Sequence, residues 1–218
     1  MELQGKKINF LGDSITEGYG VSCHDNVYHQ LMKREYGLAE ARNYGVSGSR
    51  IARQIAMTEE PYDRDFCMRA LEMDPDADVV VVFGGTNDFG HGDAPIGTFE
   101  DREPNTFYGA CHFLFRYLIE TYPDGVIAVC TPLHRFNEDD PKGDTPKAYH
   151  YGVLKDYVAI IREVAEYYSL PVIDLFAMSG LQPRVGVIRE RYVPDGLHPN
   201  DAGHEKLAHV IGNFLLSY

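Results

Sequence analysis

Two short segments of this sequence carry side chains that could perform acyl-transfer chemistry. The first is residues 12–16, which read Gly-Asp-Ser-Ile-Thr and follow a short apolar run, so that Ser14 lies just past a predicted strand. A hydroxyl in that position can stand over the end of a sheet with its own backbone N–H facing the same space, which suits a nucleophile. An isolated Gly-Asp-Ser is equally compatible with a simple turn, in which Asp13, Ser14 or Thr16 caps a helix.

The second segment is residues 195–198, which read Asp-Gly-Leu-His. A carboxylate and an imidazole at this spacing in a turn can contact each other, so that Asp195 fixes the tautomer of His198 and stabilises its charged form. The other ring nitrogen would then act as a base. The alternative is a turn in which Asp195 caps the backbone and His198 packs against its neighbours.

Two glycine-rich segments that follow apolar runs supply hydrogen-bond donors. Residues 45–49 read Gly-Val-Ser-Gly-Ser, and residues 84–88 read Gly-Gly-Thr-Asn-Asp. Small residues let backbone N–H groups approach an oxygen atom, and Asn87 adds a side-chain amide, so together these segments could form an oxyanion hole. Glycines at such places also occur simply because the chain must turn.

The elements that must bring these residues together alternate between strands and helices. Apolar runs predict five strands, over 8–11, 41–44, 79–83, 126–130 and 171–175. Apolar side chains at three- and four-residue steps predict helices over 25–36, 62–72, 105–122, 149–168 and 201–216. Because the strands are apolar throughout, we expect a five-stranded parallel sheet covered on both faces, which is a three-layer α/β/α fold. Ligands of such sheets bind beyond the C-terminal ends of the strands, where the polar and glycine-rich segments fall.

The order and content of the four segments resemble those of the SGNH or GDSL hydrolases, which are serine esterases and lipases built on a flavodoxin-like sheet. The resemblance covers nearly the whole chain, although the residue after the serine is Ile where the family name has Leu. It implies the flavodoxin-like SGNH hydrolase fold and a catalytic triad of Ser14, Asp195 and His198. It further implies an oxyanion hole formed by the Ser14 N–H, Gly48 and Asn87.

Composition and charge limit the partners of the protein. The chain has 218 residues, of which 44% are apolar and 24% are charged, as expected for a single soluble domain spanning 1–218. Its 20 Lys and Arg against 33 Asp and Glu give a net charge of −13, so nucleic acid is not expected as a partner. No apolar run approaches the roughly 20 residues of a membrane span. No signal sequence and no Cys-x-x-Cys pair is present, so we expect a cytoplasmic protein with reduced thiols that requires no metal or other cofactor.

Two long polar connections, over 89–104 and 134–148, are expected to border the site. The side chains considered for contact with substrate are Asp13, Phe89 and His134, with Tyr149 and Tyr151 as a sugar-stacking platform. The connections mix aromatic, basic and polar residues instead of forming a long apolar wall. This mixture, together with the carbohydrate esterases of the family, favours a short acyl group, above all acetyl, on a carbohydrate or another small polar alcohol.

Other functions stay open at this point. Within the same family, the enzyme could be a lipase, a thioesterase or a lysophospholipase. A metal-dependent phosphohydrolase would use the oxygen and nitrogen ligands of Asp13, Asp88, Asp195, His198 and His204. An α/β-hydrolase would need a Gly-x-Ser-x-Gly elbow, which surrounds neither Ser14 nor Ser47. A non-catalytic flavodoxin-like module could bind a glycan or a nucleotide, but the glycine patterns of nucleotide sites are absent from the sequence.

Overall fold

A parallel sheet forms the centre of the fold. The computed structural model describes residues 1–144 and 151–218. Within these residues, the sheet has five strands: β1 (Lys7–Gly12), β2 (Glu40–Gly45), β3 (Val79–Phe83), β4 (Val126–Cys130) and β5 (Val172–Ile173). They pair in the order β2-β1-β3-β4-β5, and each pairing is parallel. The predicted three-layer, flavodoxin-like α/β/α fold is therefore confirmed.

Helices connect the strands and cover the sheet. They are α1 (Ser14–Glu17), α2 (Tyr28–Tyr36), α3 (Phe66–Ala70), α4 (Thr86–His91), α5 (Phe107–Thr121), α6 (Leu154–Tyr167), α7 (Leu175–Met178), α8 (Gly186–Tyr192) and α9 (Asp201–Ser217). The sequence predicts α2, α5, α6 and α9, whereas the helix predicted over 62–72 is shorter in the structure, where α3 comprises only Phe66–Ala70. The sequence does not reveal α1, α4, α7 and α8, which have only four to seven residues. Across residues 1–144 and 151–218, no helix combines the length and the apolar content needed to cross a bilayer.

Two hydrophobic layers lie on opposite faces of the sheet. Alternate residues of β3 point to opposite sides, so Val80 and Val82 pack against α3, α5 and α6. Val79, Val81 and Phe83 pack instead against residues of α2 and α9. Each of these five side chains is at most 2% exposed, and burial of one such side chain contributes about 1.5–3 kcal/mol. Burial on both faces fixes β3, and with it the position of the glycines and Asn87 that follow.

The last strand is shorter than the sequence predicts. The apolar run 171–175 predicts a five-residue strand, but β5 comprises only Val172–Ile173. The side chain of Asp174 accepts a hydrogen bond from the backbone of Ala177 and begins α7, which takes Leu175 out of the strand.

The bounds of the two long connections also differ from the prediction. The first begins after His91 and not at residue 89, because residues 89–91 belong to α4. The helix predicted from residue 149 begins at Leu154, where the carboxylate of Asp156 accepts the Val153 N–H at 2.8 Å. Residues 145–150, which include Tyr149 and the end of the connection predicted over 134–148, lie outside the described residues.

Candidate active site

Ser14 is the first residue of α1, directly beyond the end of β1. The strand ends in Gly12, where a Cβ would lie only 1.9 Å from the hydroxyl oxygen of Thr16. Asp13 then turns the chain by accepting the Ile15 N–H at 3.0 Å. As the first residue of a helix, Ser14 has a backbone N–H without an intrahelical partner. The turn therefore presents the Ser14 hydroxyl and its own N–H at the C-terminal edge of the sheet.

Ser14, His198 and Asp195 form one continuous chain of hydrogen bonds. The Oγ of Ser14 lies 3.0 Å from Nε2 of His198, and Nδ1 of His198 lies 2.6 Å from Oδ2 of Asp195. The second carboxylate oxygen accepts the backbone N–H groups of Leu197 and His198 at 2.8 and 2.7 Å. Three side chains from the two ends of the sequence thus meet with the geometry needed for general-base activation of a hydroxyl.

The charge of Asp195 fixes the tautomer of the imidazole. Partial burial acts to raise the pKa of Asp195, but the hydrogen bonds from His198 and Leu197 outweigh it, so the pKa lies below its ordinary value. An ionised carboxylate only accepts hydrogen bonds, so Nδ1 of His198 must carry the hydrogen. Nε2 is then left with its lone pair directed at the Ser14 hydroxyl.

The loop after β2 carries Gly48 and is hydrogen-bonded to the segment that contains Ser14. The Val46 N–H donates to the Gly12 carbonyl at 3.1 Å, and the Ser47 N–H donates to the carboxylate of Glu17 at 2.7 Å. Gly48 has a φ of +77°, a conformation that side-chain-bearing residues rarely adopt. Its N–H donates to no group within residues 1–144 and 151–218. Gly48 therefore offers a backbone donor beside the first turn of α1.

Asn87 joins the same loop from the end of β3. It is the second residue of α4 and is 5% exposed, and its Nδ2 donates to the Ser49 carbonyl at 3.1 Å. A side-chain amide has two N–H groups, so the other remains for an oxygen in the site. The Ser14 N–H, the Gly48 N–H and Asn87, which the sequence predicts as oxyanion donors, thus lie on three segments that are hydrogen-bonded to one another.

A buried carboxylate, Asp88, shapes the loop that contains Gly48. Its two oxygens accept the backbone N–H groups of Ile51 and Ala52, both at 2.9 Å. Burial raises the pKa of Asp88 to about 6, although these hydrogen bonds act in the opposite direction. The sequence suggested Asp88 only as a metal ligand, because its partners are more than thirty positions away along the chain.

A buried arginine joins three parts of the site, and nothing in the sequence marks it. The guanidinium of Arg69 donates to the Gly12 carbonyl at 3.0 Å, the Tyr44 carbonyl at 2.6 Å and the Ser49 hydroxyl at 2.7 Å. Burial lowers the pKa of Arg69 to about 10, so the group stays charged at neutral pH. Arg69 therefore holds the ends of β1 and β2 together next to Ser14.

Two of the three side chains expected to contact substrate do not line the site. Phe89 is fully buried and packs edge-to-face on Tyr157, and Asp13 is 1% exposed because it caps α1 from inside. Both assignments are wrong, since these side chains support the site from the interior. Burial also raises the pKa of Asp13 to about 7. His134 is half-buried, with its ring 2.8 Å from the Glu138 carboxylate.

Two exposed aromatic rings flank the turn that carries Asp195 and His198. The ring of Tyr19 packs on the imidazole of His198, with 4.4 Å between the ring centroids. Phe136 also lies beside this turn, where its backbone N–H donates to the Gly196 carbonyl at 2.7 Å. The rings are 59% and 53% exposed, respectively. The described part of the second connection therefore contacts the turn that carries Asp195 and His198, whereas the sequence does not identify Tyr19.

Among the described residues, the acidic and histidine side chains do not form a metal site. Within residues 1–144 and 151–218, no three His, Cys, Asp or Glu side chains are arranged to hold a metal ion. Asp88 and Asp195 are each occupied by backbone N–H groups, and His204 Nδ1 accepts the Tyr28 N–H at 3.2 Å. The phosphohydrolase alternative therefore lacks the ligand cluster that it needs.

The comparisons with known proteins agree with one another in the family and the fold that they indicate. The sequence profile of the GDSL-like lipase/acylhydrolase family matches residues 10–206. An acetylxylan esterase from Xylanibacter ruminicola is 27% identical over 94% of this chain, which spans only 42% of the length of that relative. A solved structure from Lactobacillus plantarum is 30% identical and covers 99% of this chain and 98% of its own, with a TM-score of 0.83. A lipase/acylhydrolase from Enterococcus faecalis shares the fold, with 24% identity, coverage of 97% of this chain and 96% of its own, and a TM-score of 0.65.

Proposed function

The chain belongs to the GDSL-like lipase/acylhydrolase family, a family of carboxylic ester hydrolases, and we propose that it cleaves esters through a covalent acyl-enzyme on Ser14. The observation that carries this proposal is the unbroken chain of hydrogen bonds from the Ser14 hydroxyl through His198 to Asp195. A binding module has no use for an aligned hydroxyl, base and carboxylate, whereas acyl transfer requires all three.

Acylation begins with proton transfer from Ser14. Nε2 of His198, 3.0 Å from the hydroxyl, takes the proton while Oγ forms a bond to the ester carbonyl carbon. The carbonyl π electrons move to oxygen, which becomes an oxyanion. The Ser14 N–H, the Gly48 N–H and Asn87 Nδ2 donate hydrogen bonds to this oxyanion, and each such donor contributes about 10²–10³ in rate.

Collapse of the tetrahedral intermediate breaks the bond to the alcohol oxygen. The imidazolium of His198 donates its proton to that oxygen, so the alcohol leaves as a neutral molecule. A water molecule then enters, gives a proton to His198 and attacks the acyl carbon. The second intermediate releases the carboxylic acid and returns the hydroxyl to Ser14. Throughout both steps, the carboxylate of Asp195 stabilises the charged imidazole.

The substrate that we propose is a short-chain ester, above all an acetyl ester, of a carbohydrate or a similar polar alcohol. The acetylxylan esterase from Xylanibacter ruminicola, which aligns with 94% of this chain, supports an acetylated sugar. The surroundings of the triad support it too, because the exposed rings of Tyr19 and Phe136 are single aromatic groups beside polar and charged side chains. A long acyl chain would need a continuous apolar wall.

Labelling with a fluorophosphonate ester tests the nucleophile. The Ser14 oxygen should form a bond to phosphorus with loss of fluoride, giving one adduct that is seen by intact-protein mass spectrometry. Ser14→Ala should lose both the adduct and the turnover of p-nitrophenyl acetate while its Tm stays within a few degrees of wild type. Ser217→Ala, which removes an exposed serine at the end of α9, is the matched control and should behave as wild type. Undiminished turnover by Ser14→Ala would remove Ser14 from this role.

A panel of p-nitrophenyl esters from acetyl to palmitoyl tests the acyl group. We expect kcat/KM to be highest for acetyl and to fall as the chain lengthens. Acetylated xylosides in the same assay series test the alcohol side. Preference for palmitoyl would contradict the proposed substrate class and would favour the lipase alternative.

A further inference from the structure

One exposed ring, that of Tyr19, touches the general base of the site and is given no role by the triad. Its centroid lies 4.4 Å from that of the His198 imidazole, with the two planes tilted by 52°. The residue is nevertheless 59% exposed, so a large part of the ring stays open to solvent. An exposed aromatic residue at the reacting centre is a candidate for contact with substrate.

The backbone on both sides of Tyr19 is held in place without help from its ring. The Tyr19 N–H donates to the Ser14 carbonyl at 2.8 Å. At Gly20, which has a φ of +95°, a Cβ would lie 2.7 Å from the Pro199 carbonyl oxygen, so the chain presses closely on the segment after His198. Further along, the backbone N–H and hydroxyl of Ser22 donate to the Asp201 carboxylate at 2.8 and 2.6 Å. These contacts place the Tyr19 ring in a defined position.

The imidazole, in turn, does not depend on Tyr19 for its orientation. Asp195 accepts hydrogen bonds from both the ring and the backbone of His198, and the Ser14 hydroxyl lies on the remaining ring nitrogen. Both in-plane nitrogens of the imidazole are therefore engaged. A purely positioning role for the tyrosine ring would duplicate what the carboxylate already does.

The mechanism decides which part of the ester lies beside Tyr19. His198 Nε2 must protonate the leaving oxygen, which requires that oxygen within about 3 Å of the nitrogen. The group attached to this oxygen then lies next to the tyrosine ring, because that ring packs on the same imidazole. The ring therefore faces the alcohol side of the ester, whereas the acyl side lies towards the oxyanion donors.

We propose that Tyr19 determines the alcohol specificity by stacking its ring against the C–H face of a pyranose leaving group. This inference rests on the proposed function, because it requires His198 to act on the alcohol oxygen. The C–H face of a pyranose ring is apolar, and a flat aromatic ring covers it with little loss of conformational freedom. A small acyclic alcohol cannot fill the same contact.

The test compares two acetate esters that differ only in the alcohol. One is a monoacetylated methyl xyloside and the other is ethyl acetate, and both are followed in a pH-stat so that no chromophore stacks on the ring. The measured quantity is the ratio of kcat/KM for the sugar ester to kcat/KM for ethyl acetate. Tyr19→Ala should lower this ratio at least tenfold, whereas Tyr19→Phe, which keeps the ring, should stay within about threefold of wild type.

Tyr218→Ala is the matched control. Tyr218 is 60% exposed, as Tyr19 is, but it lies at the end of α9 beside the loop before β4, at the opposite edge of the sheet. The kcat/KM ratio of Tyr218→Ala for the two esters should equal that of wild type. Circular dichroism and Tm of each variant show that the fold is retained.

Each other outcome overturns the inference in a recognisable way. An equal loss on both esters in Tyr19→Ala would mean that the ring only positions His198. An unchanged ratio would mean that the ring does not contact the alcohol, and a tenfold loss in Tyr19→Phe would assign the effect to the hydroxyl. The proposed function itself fails if wild type hydrolyses neither ester or if Ser14→Ala hydrolyses both. Neither result depends on the kcat/KM ratio, so failure of the proposed function can be told apart from failure of the inference about Tyr19.

Discussion

The carboxylate of Asp195 holds His198 at two points, because Oδ2 lies 2.6 Å from the ring Nδ1 and Oδ1 accepts the backbone N–H at 2.7 Å. Asp195 thus fixes both the backbone conformation of the turn and the orientation of the His198 imidazole. With the ring held from one side, its Nε2 meets the Ser14 hydroxyl at 3.0 Å. Of the four residues of this turn, Asp195 is exposed, Gly196 is buried, and Leu197 and His198 are half-buried.

Asp195→Asn should therefore reduce catalysis far more than stability. The new amide would donate to Nδ1 of His198, which moves the ring hydrogen to Nε2 and removes the acceptor for the Ser14 proton. We expect kcat on p-nitrophenyl acetate to fall by about 10³–10⁴, with Tm within a few degrees of wild type. Steady-state kinetics and thermal unfolding measure the two quantities. A loss in kcat smaller than tenfold would contradict the assigned role of the carboxylate.

Asn87→Ala should lower kcat by about 10²–10³ and leave KM nearly unchanged, because the amide acts on the oxyanion and not on the bound ester. The variant also loses the hydrogen bond to the Ser49 carbonyl, so Tm should be recorded beside the kinetics. Asn105→Ala removes an exposed asparagine and serves as the control. A rise in KM with unchanged kcat would place Asn87 in ground-state binding instead.

Asp88→Asn tests whether the buried carboxylate positions the Gly48 loop. An amide has only one acceptor oxygen, so the Ile51 or the Ala52 N–H would lose its partner, at a cost of about 1–3 kcal/mol in stability. If the loop shifts, kcat should fall at least tenfold while KM changes little, since the Gly48 N–H moves away from the oxyanion. The exposed Asp124→Asn is the control. A loss of stability with wild-type kcat would limit Asp88 to a structural role.

Several strands could be predicted because their signals are local, and so could the position of the candidate site residues next to element boundaries. β3 and β4 are uninterrupted apolar runs between polar residues, and their observed bounds equal the predicted ones. Ser14, Asp195 and His198 each follow or precede a strand or helix boundary that the sequence marks with glycine or a capping residue. The parallel arrangement then requires that they gather at one edge of the sheet.

The remainder depends on contacts between distant residues, which a sequence pattern does not reveal. Arg69 reads as one charged residue in a helical segment, yet it is 6% exposed and joins the ends of two strands. Phe89 reads as a loop aromatic beside the site, but α4 turns it into the core. The Tyr19–His198 contact forms because the chain after α1 packs against the segment before α9. No sequence pattern near either residue predicts this contact.

The buried His204 should make the protein sensitive to acid. Burial, and to a lesser extent the nearby His29, lowers the pKa of His204 to about 4, whereas in the unfolded chain it is about 6.5. Between these values the unfolded chain binds one more proton than the folded protein, so stability falls as the pH drops from 6.5 towards 4.

His204→Gln removes this dependence and allows its measurement. Between pH 7 and pH 5, the free energy of unfolding of wild type should fall by about 2 kcal/mol more than that of the variant. Urea denaturation at the two pH values gives both quantities. Asp13 and Asp88, whose pKa values burial raises to about 7 and 6, act in the opposite sense, but they are present in both proteins and cancel in the difference. Parallel pH profiles would show that His204 is not held neutral by the fold.

Ser14 and His198 are separated by 184 positions along the chain, and the hydrogen bond between them requires the segment before α9 to lie against the chain that follows α1. A chain that lacks His198 cannot hydrolyse esters by this route, even when the sheet has formed. Recovery of hydrolysis after dilution from denaturant therefore reports the formation of this contact, and its rate can be compared with the rate at which helical circular dichroism returns.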